Sequence, residues 1–135
     1  MNLSLEGKSY PESPFVVDEA RVEAFRRATG GSGVAVPLTF VTAAEFASFP
    51  AIVGDPELGL DFSRVVHADQ EYAFERPLRV GETVTVRSRI AQARAKGGQA
   101  FLTIETELLD DAGAVVVTAR ATMLERGAPA GTDAP

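Results

Sequence analysis

The chain has 135 residues, 45% hydrophobic and 24% charged, with a formal net charge of -6. That length fits one soluble domain, and no Lys/Arg cluster reaches the density that phosphate-backbone binding needs, which excludes nucleic acid as a partner. No cysteine is present, so disulfides, thiolate metal sites and cysteine nucleophiles are excluded too.

The opening segment, MNLSLEGKSYPESP, holds no basic stretch followed by an apolar run. No window of the chain is long and apolar enough to span a membrane, so the expectation is a cytoplasmic protein with no membrane partner. In SPFVVDEARVEAFRRATG an apolar, extended run ends at Asp18, a good N-cap, with Glu19 at the positive end of the helix dipole. Val22, Phe25 and Ala28 recur at helical spacing, Arg21, Arg26 and Arg27 face elsewhere, and Gly30 supplies a stop. The pattern predicts an amphipathic helix over about 19–29.

PLTFVTAAEFASF follows, opening on Pro37 at a position the first helical turn tolerates. It is apolar on nearly every side, with Glu45 its only charge, and a helix of that kind is buried all round. RVVHADQEYAFERP then reads as a strand and PLRVGE as a turn. TVTVRSRIAQARA sets Val84, Val86 and Ile90 against Thr85, Arg87 and Arg89, and FLTIETELL sets Leu102, Ile104 and Leu108 against Thr103, Glu105 and Glu107. DDAG is a hairpin signal before a last strand, VVVTARATMLER. These strands predict an antiparallel meander with one solvated face. The closing RGAPAGTDAP is small and Pro/Gly-rich and reads as a disordered tail, giving expected boundaries of 1–126 for the domain and 127–135 for the tail.

An α+β chain of this order is satisfied by a curved antiparallel sheet wrapped around a buried central helix, the hot-dog arrangement. The run VVHADQEYAFERPLRVGETVTVRSRI, with VVTARATMLER, PLTFVTAAEF and DPELGLDFSRVVHADQ, resembles the MaoC-like dehydratase N-terminal-domain family. The resemblance covers about residues 5–126 and is strongest from Asp55 to Gly81. It implies a subunit of a (3R)-hydroxyacyl-thioester dehydratase of fatty-acid or polyketide synthesis. The substrate would be carried on acyl carrier protein or coenzyme A, with no cofactor and no metal. It further implies pairing with a second hot-dog chain, sheet edge to sheet edge, with the acyl chain between them.

The family resembled performs general acid–base chemistry with an Asp and a His in an Asp-x-x-x-x-His loop between the first helix and the buried one. Dehydration removes a C2 proton, protonates the leaving hydroxyl and stabilises enolate character on the thioester oxygen. Here the corresponding segment, TGGSGVAV, is shorter than the family's connection and carries neither residue. The only histidine is His67, preceded five positions earlier by Phe62. Pro37 has no N–H to offer an oxyanion, which leaves Leu38 and Thr39 as backbone donors at the start of the buried helix. The resemblance and the missing pair together predict a noncatalytic, substrate-binding subunit that forms a heterodimer with a catalytic hot-dog chain.

Two rival readings stand beside it. One is a self-sufficient homodimeric dehydratase, isomerase or thioesterase that uses His67 with Asp69 or Glu71. On an uninterrupted strand His67, Asp69, Glu71 and Glu75 share one face. The other is a non-enzymatic acyl-binding or scaffold protein. The expected substrate-binding residues are Leu38, Thr39, Phe40, Phe46, His67 and Arg76, with Phe49 as a further pocket wall. Against each stands a plainer role: core packing for the phenylalanines, a structural hydrogen bond for His67, and a pairing with Glu75 or Glu82 for Arg76. Arg87, Arg89, Arg94 and Lys96 form a mild basic stretch, read either as a docking face for an acidic carrier or as a solvated strand face. GGSG lacks the Lys of a phosphate loop and joins two helices, so it reads as a connector.

Overall fold

A computed structural model describes residues 1–31, 33 and 35–127. The expected tail therefore lies, from residue 128 onward, outside the described residues. Strand β1 (Ser13–Val16) leads into helix α1 (Glu19–Thr29), followed by short helices α2 (Val41–Phe46) and α3 (Phe49–Val53) and strands β2 (Val65–Phe74), β3 (Thr83–Lys96), β4 (Gln99–Leu109) and β5 (Val115–Glu125). The strands form one antiparallel sheet in the order β1-β3-β4-β5-β2. This is the hot-dog fold, with the helices on the concave face. Among the described residues no helix is long and apolar enough to cross a membrane.

Helix α1 forms where its local signals place it. The Asp18 side chain accepts from the Arg21 N–H at 3.0 Å, and Gly30, at φ 73°, takes the left-handed conformation that ends the helix. Strands β3, β4 and β5 run as a meander whose alternation is the expected one: Val84, Val86, Ile90, Leu102, Ile104 and Leu108 are all buried.

Two features differ from the pattern read in the sequence. Strand β2 does not continue into a hairpin with β3 but pairs with β5 at the far edge of the sheet. Segment 75–82 is longer than a tight hairpin turn and carries the chain across the sheet end to β3. The apolar helix is also not one continuous, wholly buried rod. A 3-10 turn over Leu38–Phe40 precedes α2, and the helix is interrupted at Ala47 and Ser48, whose N–H groups bond back only three residues. Pro50 explains the interruption, because it has no N–H for the Phe46 carbonyl and its ring clashes there.

The concave face holds two apolar clusters. One gathers Phe15, Val22, Phe40, Val86 and Leu108, and the other Phe49, Ile52, Ile90, Leu102 and Ile104. Between them runs a polar seam in which the Ser48 and Ser88 hydroxyls lie 2.7 Å apart and those of Ser88 and Thr106 2.9 Å apart. These groups are buried yet partnered, which keeps the seam from being a net penalty.

Candidate functional site

The site is built where α2 and α3 meet edge strand β2. Phe46, Phe49, Val53, Phe62, Val65 and Met123 line an open groove of about 470 Å³ with His67 at its side. Phe46 and Phe49 stack with ring centroids 4.5 Å apart, and the Phe46 ring lies 6.0 Å from that of His67. Phe46 is 39% exposed and Phe62 66% exposed, unusual for large apolar side chains this close to a core. The groove is apolar, has a single titratable group on its wall, and suits a hydrocarbon chain.

A β-bulge decides what His67 can do. The β2–β5 register slips between His67, opposite Met123, and Asp69, opposite Thr122. The extra residue, Ala68, reverses the facing of everything after it. His67 thus points to the helix side together with Gln70 and Tyr72, while Asp69 and Glu71 point outward. The row of His67, Asp69, Glu71 and Glu75 expected on one face does not exist. The His67 ring Nε2 instead meets the Asp69 backbone carbonyl at 3.1 Å, with no carboxylate in hydrogen-bond contact among the described residues.

Beside the groove lies a buried carboxyl that the sequence marked only as a lone charge. Glu45 is 0% exposed, and its two oxygens accept from Gln70 Nε2 at 2.9 Å and from Tyr72 Oη at 3.1 Å. The Tyr72 hydroxyl also meets Thr42 Oγ1 at 2.5 Å. Burial pushes the Glu45 carboxyl above its ordinary range, partly opposed by these hydrogen bonds and by His67. The network ties α2 to edge strand β2. Its only advance signal was polar residues (Gln70, Tyr72) alternating along β2 opposite an otherwise apolar helix.

The remaining candidates fall apart in space. Phe40 is 1% exposed, packs edge-on against Phe25 at 5.5 Å, and belongs to the cluster far from the groove. Leu38 and Thr39 stand exposed in the 3-10 turn after Pro37, whose carbonyl accepts from the Phe40 N–H at 3.0 Å. The Arg76 fork is filled by Glu82, with contacts of 2.8 and 3.0 Å, and by the Pro77 carbonyl. That pairing holds the Glu82 carboxyl below its ordinary range. In the basic stretch, Arg87 pairs with Glu107, Arg89 with Glu105, and Arg94 covers the Phe101 ring.

The connector between α1 and the 3-10 turn carries no acid–base pair. Arg26 fixes it instead: its guanidinium pairs with Glu23 and donates to the Ala35 carbonyl at 3.0 Å, while the Gly31 N–H bonds the Arg26 carbonyl. A Cβ on Gly31 would come within 3.2 Å of Arg26 Cγ, so a side chain there would require that of Arg26 to shift slightly. No group of three or more His, Asp or Glu converges on a metal position among the described residues.

Comparison with known proteins agrees with this architecture. A match to the family described as FAS1-like, dehydratase domain region, spans residues 7–119. A UPF0336 protein of Streptomyces coelicolor is 35% identical over 145 residues, covering 95% of this chain and 97% of that protein. Among solved structures, a MaoC-like dehydratase superposes with a TM-score of 0.80 at 20% identity, over 93% of this chain and 43% of the other. The HadBC (3R)-hydroxyacyl-ACP dehydratase complex of Mycobacterium tuberculosis gives 0.73 at 22% identity, over 89% and 96%.

Proposed function

This chain belongs to the FAS1-like dehydratase-region family, and we propose that it is the noncatalytic, substrate-binding subunit of a (3R)-hydroxyacyl-thioester dehydratase. Residues 1–126 form its working domain. The substrate is an acyl thioester on acyl carrier protein or coenzyme A, within fatty-acid or polyketide assembly. The observation that carries this reading is the pairing of an open apolar groove with a connector that has no Asp and no His. The groove can hold an acyl chain, and among the described residues His67 is the one titratable side chain on its wall, without the Asp that the family resembled sets beside its His.

In this reading the groove of Phe46, Phe49, Phe62 and Met123 contributes one wall of the acyl site, and His67 marks its polar rim. The first N–H groups of the 3-10 turn, at Leu38 and Thr39, are the backbone donors available to a thioester oxygen. Phe40 supports them from the core, and Arg76 serves the turn through Glu82. A second hot-dog chain, by analogy with the HadBC (3R)-hydroxyacyl-ACP dehydratase complex of Mycobacterium tuberculosis, supplies the Asp and His.

The rival that keeps chemistry on His67 has one feature in its favour, the opening of that ring onto the groove. Among the described residues the ring has no carboxylate partner. The test is turnover of a 2-enoyl thioester by the purified chain, alone and mixed with a hot-dog chain that carries the Asp-x-x-x-x-His loop. We expect turnover only in the mixture, with acyl-chain affinity falling when Phe46 is replaced by Ala. Turnover by the chain alone, lost in His67→Ala, would overturn the reading. Ligand binding without turnover in every mixture would favour the scaffold alternative.

A further inference from the structure

We infer that the outward face of β2 selects the chain that extends the sheet, and that this chain is not a second copy but a partner with basic residues on its own edge strand. The inference rests on the reading above that a second hot-dog chain joins here, and adds what that chain must present.

Among the described residues strand β2 is hydrogen-bonded to β5 on one side only, which leaves its other side as a template for pairing. On the outward face a single row crosses four strands in register: Arg89 opposite Glu105, Glu105 opposite Arg120, and Arg120 opposite Glu71. The contacts along it are short, 2.9 Å from Arg89 to Glu105 and 2.6 Å from Arg120 to Glu105. Signs alternate along the row, and Glu71 ends it at the open edge. The electrostatically favoured next residue, on an added strand, is a Lys or Arg.

Asp69 and Glu75 flank Glu71 and are exposed, and segment 65–75, VVHADQEYAFE, has no Lys or Arg. A second copy would pair with β2 about a two-fold axis, antiparallel, with Gln70 and Tyr72 kept inward on both strands. Every such register centred between Asp69 and Ala73 sets one carboxylate against another. Asp69 or Glu71 meets its own copy, Asp69 meets Glu71 or Glu75, or Glu71 meets Glu75. Like charges directly opposite across a strand pair are destabilising. The same three carboxylates that repel a copy would attract a basic edge, which gives both halves of a specificity device.

The test compares three chains by sedimentation equilibrium: the natural one, a neutral Asp69→Asn/Glu71→Gln/Glu75→Gln variant, and a reversed Asp69→Lys/Glu71→Lys/Glu75→Lys variant. The natural and reversed chains should each self-associate weakly, while their equimolar mixture pairs roughly tenfold more tightly than either alone. The neutral variant should self-associate more tightly than the natural chain. A natural chain that pairs with itself as tightly as the mixture does, or a mixture that does not pair, overturns the inference. If circular dichroism shows the reversed chain unfolded, the neutral variant decides: no gain in self-association overturns it. None of these readouts uses dehydration, so their failure leaves the substrate reading standing, and an inactive reconstituted pair leaves this inference standing.

Discussion

The two edges of the sheet are finished differently. At one, β1 spans only Ser13–Val16 and carries Pro14, a residue with no N–H to offer a neighbouring strand. Behind it Phe15, Phe25 and Phe40 close a core, Arg26 fastens the connector, and Arg76 and Glu82 lock the crossing turn. At the other edge β2 spans Val65–Phe74 without a proline, beside an uncovered groove. One end is closed on itself, and the other is left with pairing groups and apolar surface exposed. The open groove thus lies at the β2 end, and the connector that stands where the family resembled carries its catalytic loop is part of the closed end.

Substitutions at the two ends should separate accordingly, and the largest effect belongs to the closed one. Phe40→Ala removes a fully buried ring and should lower stability by about 3–5 kcal/mol in denaturant unfolding. Arg26→Ala removes the donor to the Ala35 carbonyl and leaves Glu23 with the longer Arg27 contact of 4.0 Å. It should cost about 0.5–1 kcal/mol at this partly exposed position, with faster amide exchange at Val36. An unchanged exchange rate there would show that the connector holds its shape without Arg26.

At the open end Glu45 gives an effect of opposite sign. Its folded carboxyl holds a proton more tightly than the unfolded one, whose ordinary value is 4.5. Its contribution favours the folded state fully below that value and is lost as pH rises through the folded pKa. Glu45→Gln removes the buried charge: its amide oxygen keeps one of the two accepting positions, and its NH2 can donate to Gln70 Oε1, unpartnered among the described residues, once that amide turns. It should therefore raise stability at pH 8 and flatten that decline. A loss of stability at pH 8 would mean that the ionised form is the one the network prefers. Phe46→Ala should have the smallest effect on folding, within about 1 kcal/mol, because the residue is 39% exposed and lies at the rim rather than inside the core. Its cost should appear in acyl-thioester affinity instead, and an unfolding cost near that of Phe40→Ala would erase the contrast between the two ends.

Much of the closed end was legible in the sequence because its signals are local. Asp18 and Gly30 bracket α1, and the alternation from Val84 to Leu108 assigns the inner face of β3 and β4 without reference to anything distant. The open end depends on contacts far apart in the chain. That β2 lies against β5, and that the pairing slips at Ala68, follow from how Met123 and Thr122 meet it, which no window around His67 contains. The slip in turn decides that His67 and Asp69 face opposite ways. Glu45 was visible as a lone charge, but its burial becomes intelligible only once Gln70 and Tyr72 are placed across from it. Pro50 did carry a readable warning that the apolar helix would break before it.

Hydrogen–deuterium exchange of the chain, with and without a hot-dog partner carrying the Asp–His loop, tests the central claim most directly. The alternate β2 amides that point away from β5 should exchange rapidly in the chain alone and gain protection on mixing, while β1 stays unchanged. Protection that appears at β1 instead, or β2 amides already slow in the chain alone, would contradict the account.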